Sequence, residues 1–518
     1  MNATERNIEQ CIKNMTLEEK VGQLLIGQAE GKIVQDDFRT FIQRYPIAGY
    51  RIAGQNIASL PQMSQFNAEI KKMYRDRGLP DPILGSDQEA GSLSVFGNLM
   101  TTFPGNMALG AAGDEMLCYQ QGLIMGKELI EAGINLVFAP VVDVNIEKNN
   151  PVIGMRSFGD DPDLVTKMAG AMIDGFHDGG LACSLKHYPG HGCTKIDTHE
   201  NLAVNDQSKE AVLGIEAKPF HELVASGAAD TVMVSHVFYS KWQSEELPAV
   251  LSAEIIQDEL RDHQGYTGVV LSDDMGMGAI MAHYSVGEAV FRFIMAGGDI
   301  ALVNRSREDL IAAFDYLLET AESGRLSERR LNESVYRILA FKQNLRRYRQ
   351  KRTEVTVDGA KTADAISKAS LTLIRDPKQL LPIAKNKKTA VILPVQKNLT
   401  AADTTGGKHC RLAEFLNQSL MDIKVINLRL QEAPHDTESL LAQLEDYERV
   451  IIGTINGIRF PSHVALVNRI CQEKPVIAVM LRDPYEAPLI AEEAALIAAY
   501  SACDVQMKNL AALLTKGV

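Results

Sequence analysis

The sequence predicts an α/β protein: a parallel (β/α)8 barrel followed by a smaller α/β three-layer sandwich. Three observations carry that expectation. Over residues 1–345 short apolar runs alternate with helical stretches, which is the signature of strands that run parallel. Many of those runs end in a polar or charged cluster, as they do where barrel strands open onto a functional face. A second alternation of the same kind fills residues 375–518, after a linker at 346–374. At 518 residues the chain is too long for one ordinary core, so two domains suit it.

Taken in order, Met15–Leu25 reads MTLEEKVGQLL. Thr16 with Glu19 fits a capping box, and Leu17, Val21, Leu24 and Leu25 line one helical face. The expected barrel strands are Ile47–Ile52, Ile83–Ser86, Asn135–Ala139, Ala182–Leu185, Thr231–Ser235, Gly268–Leu271 and Ile300–Val303, with an early run near Leu24–Gly27 completing eight. Polar ends include Asp87-Gln88-Glu89, Asp143, Lys186-His187, His236 and Ser272-Asp273-Asp274. An open doubly wound sheet is the competing layout; no Gly-rich phosphate loop follows a strand, which counts against it. The basic run RRYRQKR at Arg346–Arg352 reads as a solvated helix end running into the linker. Beyond it, Ala365–Asp376 reads as a helix running into a strand, and Thr389–Leu393, Ile423–Leu428, Arg449–Ile452, Val476–Leu481 and Leu496–Ala499 as further buried strands. The second domain shows no cluster of titratable groups to match the first; His409 and Cys410 are an incidental pair.

Composition narrows the function. Hydrophobic content of 46% and charged content of 23% describe a globular chain. A net charge of -13 argues against a nucleic-acid binder. No apolar run approaches the roughly 20 residues that cross a bilayer, so no membrane partner is expected, and MNATERNIEQ has no apolar core for a signal peptide. The seven cysteines are scattered and odd in number, which suits reduced thiols and a cytoplasmic location. Nothing speaks to oligomeric state.

Chemistry concentrates in Lys186–His199, KHYPGHGCTKIDTH. It follows the apolar run Leu181–Leu185, and Pro189, Gly190 and Gly192 disfavour a helix, so its polar groups are expected on an irregular loop. In an extended segment Asp197 and His199 point to one side, so the carboxylate can accept from one ring nitrogen and stabilise the imidazolium. Such a pair gives and takes a proton near neutral pH. A metal site at His187, His191, Asp197 and His199 is a second reading, but the spacings match no strong ligand signature. Asp273 ends the apolar run in GVVLSDDMGMG, where a carboxylate can attack an anomeric carbon; Asp274 is expected to cap the next helix, leaving Asp273 free for chemistry. For each of these groups a surface turn or an ordinary helix cap is the competing explanation.

Together these residues resemble family 3 glycoside hydrolases, in the β-N-acetylglucosaminidase branch that carries an extra C-terminal α/β domain. The resemblance rests on MTLEEKVGQLL, SDQEAG at Ser86–Gly91, FAPVVDVN at Phe138–Asn145, NPVIGMRSFG at Asn150–Gly159, KHYPGHG with Asp197-Thr198-His199, and VVLSDDM at Val269–Met275. The motifs occur in family order through the whole first domain. The resemblance implies a TIM-type barrel and a retaining double displacement, with Asp273 as nucleophile, His199 as acid/base and Asp197 as its partner. It implies that Asp87, Arg156, Lys186 and His187 hold hydroxyls of the terminal sugar, and it implies no cofactor and no metal. The expected partner is an amino-sugar glycoside from cell-wall or chitin fragments. A histidine in place of a second carboxylate would not repel an anionic acceptor, so a phosphorylase on the same scaffold is an alternative. A catalytically silent sugar-binding protein is another, which the presence of Asp273, Asp197 and His199 opposes. One departure stands out: where the family commonly reads G-G-R-V-x-R after Asp-Gln-Glu, this chain has Ala90-Gly91-Ser92-Leu93-Ser94-Val95, without either arginine.

Overall fold

The structure, a computed structural model, describes residues 3–195, 197–198, 202–395, 398–406, 410–429 and 437–516. Eight strands close into a barrel: Leu25–Gln28 (β1), Gly49–Ile52 (β2), Ile83–Ser86 (β3), Leu136–Val137 (β4), Ala182–Tyr188 (β5), Thr231–Val234 (β6), Val269–Asp274 (β7) and Ile300–Val303 (β8). Each pairs in parallel with its neighbours in sequence, and β8 returns to β1 with Leu25 opposite Ala301. Each expected barrel strand overlaps one of these eight, with ends that differ by up to three residues. Ile26, Leu84, Val137, Leu185, Val232 and Leu271 are wholly buried, because a parallel barrel covers both faces of each strand. Gly49 is required by close packing: a Cβ there would lie 1.9 Å from the carbonyl oxygen of Ile83 on the adjacent strand.

Helices Asp36–Arg44 (α1), Leu60–Asp76 (α2), Glu115–Glu131 (α3), Pro162–Asp178 (α4), Lys218–Ala225 (α5), Glu254–His263 (α6), Val286–Met295 (α7) and Arg307–Glu322 (α8) form the outer ring, α6 being wound as a π-helix. Local chemistry starts several of them. Ser59 and Gln62 form a capping box at α2, with a proline in its first turn, and Asp161 caps α4. The Thr16–Glu19 capping box is present, but the helix it opens is only Leu17–Gly22. Leu25, expected on that helix, is the first residue of β1, where burial inside the barrel outweighs the helical pattern.

Residues 346–374, expected to be a linker, hold the last turns of helix Glu328–Lys351 (α9), all of helix Gly359–Ser370 (α10), and most of strand Thr372–Arg375 (β9). The second domain continues with Thr389–Val395 (β10), Ile423–Arg429 (β11), Arg449–Thr454 (β12), Val476–Met480 (β13) and Ala495–Ala498 (β14). The sheet order is β9-β14-β13-β12-β10-β11, all parallel except the antiparallel edge strand β9. Separate apolar clusters cover its two faces, one with Leu412, Leu416, Leu510 and Leu514, the other with Leu440, Val464, Val467 and Ile470. That is a three-layer sandwich. Helix α10 packs both on the barrel helices Asn106–Ala112 and α3 and on Asp504–Lys516 (α11) of the second domain. No helix among the described residues is long and apolar enough to cross a membrane.

Candidate active site

The C-terminal ends of the barrel strands frame a pocket, and the sequence places charge there from several strands. Asp87 follows β3, and a short hairpin (Gln88–Ala90 with Leu93–Ser94) carries Glu89 beside it. Arg156 meets Glu89 with two parallel bonds of 2.8 Å, Nε to Oε2 and Nη2 to Oε1. Lys186 Nζ reaches Asp87 Oδ1 at 3.1 Å and Glu89 Oε1 at 2.5 Å. Arg51, at the end of β2, donates from Nε to Asp87 Oδ2 at 2.7 Å. Burial opposes ionisation of Asp87, yet Lys186 and Arg51 outweigh it and hold the carboxyl well below the usual carboxylate range. The same opposition at Glu89 is resolved downward by Arg156 and Lys186. The charges are thus mutually compensated before any ligand binds, as buried ions must be.

Lys186 and His187, expected on a loop, are the fifth and sixth residues of β5. The strand runs on because Lys186 and Tyr188 pair with Met233 and Val234 of β6, with a bulge at His187 between them, and because the ammonium finds carboxylates inside the barrel. The irregular segment begins only at Pro189. His187 Nδ1 meets Asp143 Oδ2 at 2.8 Å, which leaves Nε2 as the nitrogen available to a ligand. Asp143 also accepts from the backbone amides of His187 and His191, the latter at 2.8 Å. Burial works to raise its carboxyl, but the facing His187 outweighs this and holds it down. His191 bonds Thr194 Oγ1 through Nδ1 at 2.8 Å and Thr198 Oγ1 through Nε2 at 3.0 Å. Burial, reinforced by His187, pushes the His191 imidazole down to about 4, so it is a neutral hydrogen-bonding post at neutral pH. It ties down Thr198, the residue between Asp197 and His199. Asp197 is buried. His199 lies outside the described residues, as does His409.

Asp273 is the penultimate residue of β7, its Oδ1 accepting the backbone N–H of Asp274 at 2.8 Å. Asp274, expected to cap the next helix, does not: Met277 is the N-cap of helix Gly278–Met281. Its Oδ1 instead accepts the amides of Gly276 at 3.0 Å and Asn304 at 3.2 Å, because the chain makes a turn there before the helix starts. His236 is buried, with Nε2 2.9 Å from the Asp274 carbonyl oxygen, and so buttresses the same turn.

One pocket is lined by Asp87, Arg156, Lys186, His187 and Asp273, together with Thr198 from the loop. Four further residues shape the site and had no site role in the sequence. Arg51 lines the pocket too; its signal was a cation inside an otherwise apolar strand. Asp143 organises His187 and His191, legible only as a polar strand end. Ala401 and Ala402 of the second domain close one wall, with no sequence signal at all. The following residues fix that wall: Thr404 Oγ1 donates to Ser92 O and accepts from Ser94 N, both at 3.0 Å, and Asp403 pairs with Arg482 at 2.8 Å.

The metal reading of the loop meets ring nitrogens already engaged by Asp143, Thr194 and Thr198. Among the described residues, the group with metal-ligand proximity is His177, Cys183 and Asp230, at the opposite end of β5 and β6. There Asp230 accepts from the Cys183 amide at 2.9 Å and from Tyr348 Oη of α9 at 2.6 Å, so the group serves to pin that helix under the barrel.

A parallel barrel that gathers carboxylates, buried cations and a histidine at the C-terminal ends of its strands defines a barrel enzyme. The chain belongs to glycosyl hydrolase family 3: residues 16–341 match the family's N-terminal domain. It is 32% identical over 326 residues to "Beta-hexosaminidase A" of Pseudoalteromonas piscicida, a match covering 59% of this chain and 54% of that one, little more than half of the relative's length. It is 36% identical over 287 residues to a "Beta-hexosaminidase" of Xylella fastidiosa (strain 9a5c), covering 54% of this chain and 82% of the relative. Both domains are matched by the solved structure of a family 3 β-N-acetylglucosaminidase from Paenibacillus sp. str. FPU-7, with a TM-score of 0.90, 33% identity and 97% of each chain covered.

Proposed function

We propose that the protein is a retaining exo-β-N-acetylglucosaminidase that removes terminal β-linked N-acetylglucosamine from cell-wall or chitin fragments. The observation that carries this reading is the single pocket that Asp273 shares with Asp87, Arg156, Lys186, His187 and Thr198. Asp273 attacks the anomeric carbon while protonated His199, partnered by Asp197, gives its proton to the departing glycosidic oxygen. Neutral His199 then takes a proton from water as it displaces Asp273 from the sugar. Asp87, Arg156, Lys186 and His187 hold the terminal sugar's hydroxyls, and their internal pairing keeps each in place without reorganisation. The seven cysteines, all free thiols, support a reducing, cytoplasmic setting.

Turnover of an aryl β-N-acetylglucosaminide against the matching glucoside, with and without phosphate, tests the reading. N-acetylglucosamine released first as the β-anomer supports it. An α-anomeric first product sinks the double displacement, and sugar 1-phosphate formed in phosphate buffer favours a phosphorylase, which the histidine acid/base would permit. Asp273→Asn is expected to lower kcat by roughly a thousandfold or more, and an unchanged kcat would remove Asp273 from the chemistry.

A further inference from the structure

Three cations border the pocket, and they are not equally committed. Arg156 spends Nε and Nη2 on Glu89 and donates from Nη1 to the Val152 carbonyl at 3.1 Å. Lys186 is 2% exposed and is shared between Asp87 and Glu89. Arg51 differs. Its Nε bonds Asp87 and its Nη1 bonds Gln28 Oε1 at 3.2 Å, while Nη2 has no hydrogen-bond partner among the described residues. Its side chain is 28% exposed, against 14% for Asp87. Gln28 is itself held by Asn56 at 3.1 Å and by the Arg51 carbonyl at 3.0 Å, so the guanidinium is fixed at its Nη1 and Nε sides. A planar guanidinium held at both Nε and Nη1 keeps Nη2 in a set geometry beside the pocket.

The ligand side follows from that arrangement. Asp87 has two oxygens, each engaged by one cation, and retains lone pairs for further donors. A sugar hydroxyl is donor and acceptor at once, so a carboxylate beside a guanidinium satisfies both functions of one hydroxyl, or of two vicinal ones. The hairpin beside the pocket offers no such donor: the residue it contributes there is Leu93. The strand β2 provides what the hairpin lacks.

Resting on the reading that this pocket takes a sugar, we infer that Arg51 is a specificity-determining residue, its guanidinium donating to the hydroxyl, or the vicinal pair, that donates to Asp87. The assignment separates Arg51 from a purely structural counter-ion of Asp87. A counter-ion acts only through Asp87, so a lysine in its place would restore the full discrimination; a contact needs the guanidinium fork itself.

The test is a substrate-by-variant cycle. Wild type, Arg51→Met and Arg51→Lys are assayed on an aryl β-N-acetylglucosaminide and on its 3-, 4- and 6-deoxy analogues, with thermal melts to check folding. The wild type is expected to lose about tenfold or more in kcat/KM on one or two of the analogues, because a buried donor and acceptor are left unpaired. Arg51→Met is expected to lose about tenfold or more on the parent glycoside and to abolish most of that penalty on the same analogues. Arg51→Lys keeps a cation against Asp87 but not the fork, and should retain only part of the discrimination; it also serves if the methionine variant fails to fold. Penalties that are the same in wild type and variants for every analogue overturn the assignment while leaving the proposed function standing. Absence of wild-type turnover of the parent glycoside and of the corresponding glucoside overturns both.

Discussion

At the scale of single residues, the site is decided by how buried charge is paired. Asp143 is wholly buried and holds the His187 ring and two backbone amides at once. Asp143→Asn keeps the volume but removes the charge and offers a donor where only acceptors fit. A displacement of about 1 Å at His187 is enough to cost roughly a hundredfold in kcat/KM, and that loss is expected with the overall fold retained by circular dichroism; full activity in the variant would remove the positioning role. Asp87 and Glu89 have carboxyls held down by neighbouring cations, and Asp143 by the facing His187. Their stabilising contribution is complete above the pKa of an unfolded carboxylate and is lost as pH falls through the depressed folded values.

At the scale of elements, the loop after β5 rests on a carboxyl of opposite tendency. Glu216 is buried behind it, accepting from Asn205 Nδ2 at 2.6 Å, and a Cβ on Gly190 would come within 2.6 Å of the Glu216 Cβ. Burial raises the Glu216 carboxyl from 4.5 to about 7. The folded state therefore prefers the proton. Stability from this group is complete below the unfolded value and is lost as pH rises to the folded one. Glu216→Gln removes the titration, so the melting temperature of the variant relative to wild type is expected to rise between about pH 5 and about pH 8. Melts across that range check it; a constant difference would exclude ionisation of Glu216 as the cause. The strand β5 gives the complementary lesson. Gly190 and Pro189 correctly marked a break, but the break falls after Tyr188 because ladder pairing and ion pairs carry Lys186 and His187 into the barrel.

At the scale of the whole molecule, the pocket is completed across the domain boundary. Ser92 and Ser94 meet Thr404, 310 residues on from Ser94, and the loop ending in Asp403 closes the wall beside Ala401 and Ala402. Thr404→Val removes the hydroxyl's bonds to Ser92 and Ser94 without opening a cavity. The expected result is KM raised about three- to tenfold, as for the loss of one or two net hydrogen bonds, with kcat little changed. Steady-state kinetics decide it, and an unchanged KM would mean that the second domain closes the pocket without steadying the ligand.

The order of eight barrel strands, the polar character of their ends and the second α/β unit were all legible in the chain, since apolar periodicity and strand-end chemistry are local properties that nearby residues encode. Asp87, Lys186 and Asp273 could be singled out for the same reason. That Arg51 rather than the hairpin supplies a guanidinium, that Asp143 orients His187, and that alanines of the second domain wall the pocket could be decided only when barrel closure and domain docking brought distant segments together. Those contacts depend on which side chains share a mouth in space, and separation along the chain carries no record of that.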